Sequence, residues 1–113
     1  MALPNSSDTV SKKRMPVDIS PTIGAAYQLS VSTTSARQAL TAGVGRISIF
    51  ARGCDMKYLL GGGSVAADNV TSHWISAGER LDFQVDSGQS NIAAIAASGG
   101  NGTSGTLEIT EIG

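Results

Sequence analysis

From residue 25 onward the chain alternates apolar and polar residues in runs of four to eight, and Gly, Ser, Asn and Asp clusters break the runs. Such a period of two places successive side chains on opposite faces of a pleated strand. "AYQLSVST" (26–33) puts Tyr27, Leu29 and Val31 on one side. "GRISIFAR" (45–52) groups Ile47, Ile49 and Ala51, with Arg46, Ser48, Phe50 and Arg52 opposite. "DMKYLL" (55–60) groups Met56, Tyr58 and Leu60. "RLDFQV" (80–85) alternates most cleanly, with Leu81, Phe83 and Val85 inward. "NIAAIAA" (91–97) is apolar on both faces, the pattern of a central strand or of one covered by a neighbour. "GTLEITEI" (105–112) turns Leu107 and Ile109 inward and Glu108 and Thr110 outward. "SARQAL" (35–40) and "SHWI" (72–75) are weaker candidates. No segment holds a helical period over ten residues. The expectation is an all-β fold, an antiparallel β-sandwich of jelly-roll-like form with six to eight short strands over residues 25–113.

Residues 1–24 read differently. Pro4, Pro16 and Pro21 with a Ser/Asn cluster discourage helix and central strand alike. "MPVDISPTIG" nevertheless places Val17, Ile19 and Ile23 at alternating positions. An extended N-terminal arm with apolar pegs suits docking along another surface; plain disorder is the alternative. Val17, Ile19 and Ile23 are the arm's candidate contacts with that surface.

The chain is 113 residues long, with 41% apolar and 4% aromatic residues. One domain of this size buries a thin core, so association with copies of itself is expected to add stability. The net charge is −1, divided as +1 over residues 1–20 and −2 over the rest. No field of that size steers the protein to nucleic acid or an anionic membrane. Lys12, Lys13 and Arg14 form a cluster too short for a nucleic-acid patch. "MALPNSSDTVSKKRM" has no apolar stretch of signal-peptide type, and no run reaches the ~20 apolar residues of a spanning helix. A soluble protein is expected. The single cysteine, Cys54, allows no intrachain disulfide.

Chemistry finds little to build on. "GGGSVAADNVTS" has no lysine after its glycines and no helix to follow, so it cradles no phosphate; the glycines are expected to let the chain leave its strand at positive φ. "RGCD" (52–55) reads as a hairpin tip with Gly53 and Cys54 at its centre. Cys54 and the only histidine, His73, are not brought together by any pattern. Glu79, Asp82, Asp86, Glu108 and Glu111 read as solvated carboxylates on strand faces and ends. No G-x-S-x-G occurs, and "SGGNGTSG" reads as a flexible surface loop. Neither an enzyme nor a bound cofactor or metal is expected. Trp74 is expected to plug an end of the sandwich or to sit in a subunit interface, and it is the fourth candidate contact residue. Trp74, His73 and Tyr58 are also candidates for stacking on a sugar.

The ordered set "RISIFARGCDMKYLLGGG", "SHWISAGERLDFQV", "NIAAIAASG" and "GTLEITEIG" resembles a family of small tailed-bacteriophage virion proteins, of the capsid decoration (cement) type, over residues 25–113. The resemblance implies a structural part of the particle, made in the host bacterial cytoplasm and placed on the outer capsid surface. It implies a homo-oligomer, trimeric by the family's habit, that bridges subunits of the major capsid protein. It carries no catalytic motif. Similar small sandwiches serve as head–tail adaptors and fibre parts, and a carbohydrate-binding host-recognition module is a further reading.

Overall fold

The computed structural model describes residues 23–112, which form eight strands and no helix. These are β1 (Ile23–Val31), β2 (Ala36–Ala39), β3 (Arg46–Arg52), β4 (Met56–Gly61), β5 (His73–Ile75), β6 (Arg80–Gln84), β7 (Asn91–Ala96) and β8 (Gly105–Ile112). They make two antiparallel four-stranded sheets, ordered β1-β8-β3-β6 and β2-β7-β4-β5. Each stretch of period-two sequence is a strand, including the two weak ones.

The order has a simple origin. β1 pairs with β8, β2 with β7, β3 with β6 and β4 with β5. The chain is one long hairpin ribbon, closed at residues 62–72 and coiled so that successive pairs fall in alternate sheets. Coiling adds the β3–β8 and β4–β7 ladders. The result is an eight-stranded jelly roll.

The inward rows explain the core. Tyr27, Ile109, Ile49 and Leu81 lie side by side across the first sheet, followed by Leu29, Leu107 and Ala51. Facing them are Ala96, Met56 and Ile75 in one row, Ala36, Ala94 and Tyr58 in the next, and Ile92 and Leu60 after that. Ile47, Ile49, Met56, Ile75, Ile92, Leu107 and Ile109 are fully buried, each worth about 2–3 kcal/mol of transfer. Tyr58 reaches across the gap between sheets and stacks on Phe83, ring centroids 5.6 Å apart and planes 7° from parallel.

β7 is apolar on both faces because both are covered. Ala94 and Ala96 face the core, while Ala93, on the other side, is equally buried. Segment 62–72 folds back along that outer face. Arg37, opposite Ala93, donates to the Val65 carbonyl, and Lys57, opposite Ile95, donates to the Asn69 carbonyl. The outer face of the other sheet is polar. There Arg52 pairs with Glu108 at 2.8 Å, and Arg80 lies over Phe50 and donates to Ser48. The exposed ion pair contributes at most about 1 kcal/mol.

Three local expectations are corrected. "RGCD" is no hairpin, since β3 and β4 lie in different sheets; it is the corner where the ribbon crosses over. Gly53 does sit at φ 96°, so a hairpin tip and a corner ask for the same residue. Gly61, Gly62 and Gly63 do not have positive φ. Gly61 is glycine for room: a Cβ there would stand 2.9 Å from Val65. Ile23 and Gly24, placed with the arm, instead open β1. Ile23 pairs with Ile112, an irregularity follows before Ala26, and Gly24 lies where a Cβ would be 3.2 Å from Glu111. Val17 and Ile19 lie outside the described residues.

Candidate functional site

The strand directions gather four connections, β1–β2, β3–β4, β5–β6 and β7–β8, at one end of the sandwich. Asp55 ties three of them together. Its carboxylate accepts the Ala77 N–H at 2.8 Å and the Asn101 N–H at 2.9 Å. Its own N–H donates to the Asn101 carbonyl, and its carbonyl accepts from Ala97. The backbone N–H groups of Asn101 and Ala77 hold its carboxyl below the usual carboxylate range, against a smaller opposing effect of burial. Beneath it Cys54 is fully enclosed; burial and then the Asp55 charge push the thiol up, so it stays protonated and unreactive at neutral pH.

"SGGNGTSG" is therefore not a loose surface loop. A Cβ on Gly100 would meet Asp55 at 2.8 Å, and one on Gly102 would meet Cys54 at 2.9 Å. A Cβ on Gly105 would run into the Arg52 carbonyl oxygen. The loop is glycine-rich because its backbone packs against the crossover corner.

Trp74 does not plug the core. It projects from the outer face of β5, opposite Lys57, and is 44% exposed. Its indole N–H donates to Ser76 Oγ at 2.9 Å, and Lys57 Nζ lies 5.9 Å from the ring centroid. The far edge of the ring abuts Gly100, where a Cβ would be 3.1 Å away. The three stacking candidates are thus divided. Tyr58 turns inward onto Phe83, His73 sits beside it at 5.5 Å, and Trp74 points the other way.

Beyond Gly100 an open cleft of about 340 Å³ runs between the β1–β2 turn, segment 62–72 and the β7–β8 loop. Thr33, Asn69, Ser98 and Thr103 line it, over a floor of Ala96 and Ala97. The walls are held from behind. Ser98 N–H donates to Asn69 Oδ1 at 2.7 Å, and Ala96 N–H to the Ser32 carbonyl at 2.8 Å. Asp68 accepts from Val70 N–H, Thr71 N–H and the Thr71 hydroxyl, which fixes the turn that presents Asn69 and leaves Val70 88% exposed. The only sequence signals for this cleft were the turn residues of "DNVTS" and "SGGNGTSG".

At the opposite end the carboxylate reading is corrected. Glu111 faces inward in the row of Ile47 and Phe83 and is buried. It accepts the Thr41 N–H at 2.7 Å. Burial would push its carboxyl up, but bonds from the Thr41 N–H and hydroxyl, the Tyr27 hydroxyl and the Ala25 N–H outweigh it and hold the carboxyl below its usual value. Tyr27 and Thr41 also bond each other at 3.2 Å, so one anchor joins β1, β8 and the β2–β3 loop. A second open cleft, of about 390 Å³, lies past Thr41, between Leu40, Val44, Val85 and Gln89.

The lowered carboxyls of Asp55 and Glu111, with that of Asp68 held down by its bonds from Thr71 and Val70, make the fold acid-sensitive in a defined direction. Between folded and unfolded pKa values the unfolded chain binds more protons, so stability rises with pH there. The contribution is present above pH ~4 and is lost as pH falls through the folded values. Thermal midpoints from pH 7 to pH 2 are expected to drop on the acid side. Glu111→Gln is expected to lower the pH 7 midpoint, by about 1–2 kcal/mol in stability, and to flatten the acid limb. An acid limb unchanged by the substitution would show that Glu111 does not titrate with unfolding.

Among the described residues no three His, Cys, Asp or Glu side chains gather as a metal-binding group. Ile23 is 77% exposed, on the outer strand of its sheet.

No family model matches the chain, and no curated protein matches it. Solved structures do. A de novo designed double-stranded β-helix is similar over 78% of this chain and 99% of its own, at 20% identity and a TM-score of 0.50. Protein NMB1881 from Neisseria meningitidis is similar over 88% of this chain and 89% of its own, at 12% identity and a TM-score of 0.47. FeII HppE is similar over 76% of this chain and 42% of its own, at 15% identity and a TM-score of 0.43. The last two are too distant to support any argument. The first agrees with the coiled ribbon read from the strand pairing, and what it establishes is the fold alone.

Proposed function

We propose that the chain is a structural component of a bacteriophage particle, a capsid decoration protein on the outer shell. In this reading it associates with copies of itself as a trimer and bridges subunits of the major capsid protein. The motifs that carry the family resemblance fall on β3 to β8 and on the turns between them. A fold alone does not assign this role, because jelly rolls serve many functions.

One observation carries the reading furthest. Ile23 stands exposed where the segment bearing Val17 and Ile19 enters β1, and β1 is an edge strand. An edge strand offers unpaired main-chain N–H and C=O groups, and an apolar residue beside it offers a place to dock. The proposed contacts are Val17, Ile19 and Ile23 along the shell and Trp74 toward a neighbouring copy. No catalytic step, cofactor, nucleic acid or membrane enters this reading.

Purified shells lacking their decoration give the test. The full chain is expected to cosediment with them and to sediment as an oligomer. Removing residues 1–20 is expected to weaken shell binding at least about tenfold, or ~1.4 kcal/mol, with the β-sheet circular dichroism unchanged. A monomer that ignores the shells would overturn the proposal. Binding only to isolated necks, tails or fibres would move the protein to a head–tail adaptor or fibre role.

A further inference from the structure

We propose that the cleft beside Trp74 is a binding site for a neutral oligosaccharide, of two or more sugar units. The inference does not rest on the particle reading above, but it claims the face of Trp74 that reading turns toward a neighbouring copy, so the two are alternatives at that residue.

The chemistry of the surface points to the ligand class. A pyranose ring presents an apolar C–H face and a rim of hydroxyls, so its binding sites pair an exposed aromatic face with uncharged donors and acceptors in a shallow opening. Trp74 supplies the aromatic face. Its exposure is not that of a loose side chain, because the indole N–H is tied to Ser76 and the ring edge rests on Gly100. Only the width of that glycine separates the ring from the cleft.

The cleft supplies the rim. Thr33, Asn69, Ser98 and Thr103 offer three hydroxyls and one amide, and none of the described residues lining the cleft is charged. Within the cleft that lining argues against a phosphate, a carboxylate or a metal ion as occupant; Lys57 is a cation beside it, against the indole, and the charged comparison below tests whether it recruits an anionic sugar. Asn69 is presented by the Asp68 turn with its Oδ1 already taken by Ser98 N–H. Its side-chain NH₂ is thereby oriented as a donor. Lys57, held between the indole ring and the Asn69 carbonyl, steadies the wall from the side of the sheet. A site held this way loses little conformational entropy on binding. The opening, about 340 Å³, suits one sugar in the cleft while its neighbour lies on Trp74.

Trp74 is the only tryptophan in the chain, so it is its own probe. The full chain is titrated with cellotetraose, maltotetraose, xylotetraose and tetra-N-acetylchitotetraose, each to about 10 mM, with fluorescence and calorimetry as readouts. A heparin tetrasaccharide is the charged comparison. The expected result is saturable binding of at least one neutral tetrasaccharide, with a shift in tryptophan emission, and weaker binding of the charged one. Trp74→Ala, followed by calorimetry, is expected to weaken that binding at least about tenfold. Ser98→Arg is expected to abolish it by filling the cleft; the Ser98 side chain is exposed and its backbone N–H remains with Asn69, so this variant keeps the fold if Trp74→Ala does not. No response to any neutral sugar would overturn the proposal. So would a heparin tetrasaccharide binding best, or binding that survives Ser98→Arg.

Discussion

Gly105→Ala is expected to be among the most damaging single-methyl additions in this protein, costing about 3 kcal/mol or more. The added Cβ has nowhere to go. It would run into the Arg52 carbonyl oxygen and lie 3.0 Å from the Cys54 N–H nitrogen and 3.1 Å from its Sγ. Two of these atoms are backbone, so no rotamer change relieves the contact. Gly105 also opens β8, opposite Val31, where the last strand enters the sheet. To make room the crossover corner must move, and Asp55 next to Cys54 holds that corner to the β5–β6 and β7–β8 loops. At roughly 4–8 °C per kcal/mol for a domain of this size, the melting midpoint should fall by more than about 10 °C. Gly88→Ala is the control: a Cβ there meets nothing within 4 Å, and the change should stay within about 1 kcal/mol. Equal midpoints for the two variants would mean that the corner yields easily.

The second large effect is expected at Ile49. It is fully buried in the central row of its sheet, with Ile109 on one side and Leu81 on the other. Ile49→Ala removes three carbons from a site enclosed by two ladders and the facing sheet. Such walls relax little, so the loss should reach about 3–4 kcal/mol, a large part of the stability of a small domain. Ile23→Ala removes the same carbons from a side chain 77% exposed and should change stability by less than about 0.5 kcal/mol. Chemical denaturation of both variants checks the pair. Comparable losses would mean that Ile23 is covered in solution by another chain.

Much of this fold was readable before any coordinates, because period two is a direct consequence of the pleat. Leu81, Phe83 and Val85 alternate with polar residues since β6 is wet on one side. "NIAAIAA" signalled correctly that something covers β7, although not that residues 62–72 do so. Pairing was less readable. "RGCD" satisfies a hairpin and a sheet-crossing corner equally, because both need a residue tolerant of positive φ at Gly53. Choosing between them requires knowing that β3 pairs with β6 and β8, a fact carried by residues about 30 to 60 positions away. The buried carboxylates were hidden for a similar reason. Glu111 falls on the inward phase of β8, but its partners Thr41 and Tyr27 are contributed by distant turns and strands. The cleft beside Trp74 is assembled from three loops distant in sequence, and the turn residues of "DNVTS" and "SGGNGTSG" mark the loops without showing that they meet.

The paired ribbon has one more consequence. β1 to β4 hydrogen-bond only with β5 to β8 in both sheets, so among the described residues neither half of the polypeptide contains a single ladder of its own. A ribosome that has delivered only the first sixty residues has released strands without mates, and their greasy sides stay uncovered until the complementary half emerges. Cutting the chain between Gly62 and Gly63 would leave two pieces with no sheet in either, yet each a full template for the other. Mixed together, they have every bond they need to zip into the intact roll.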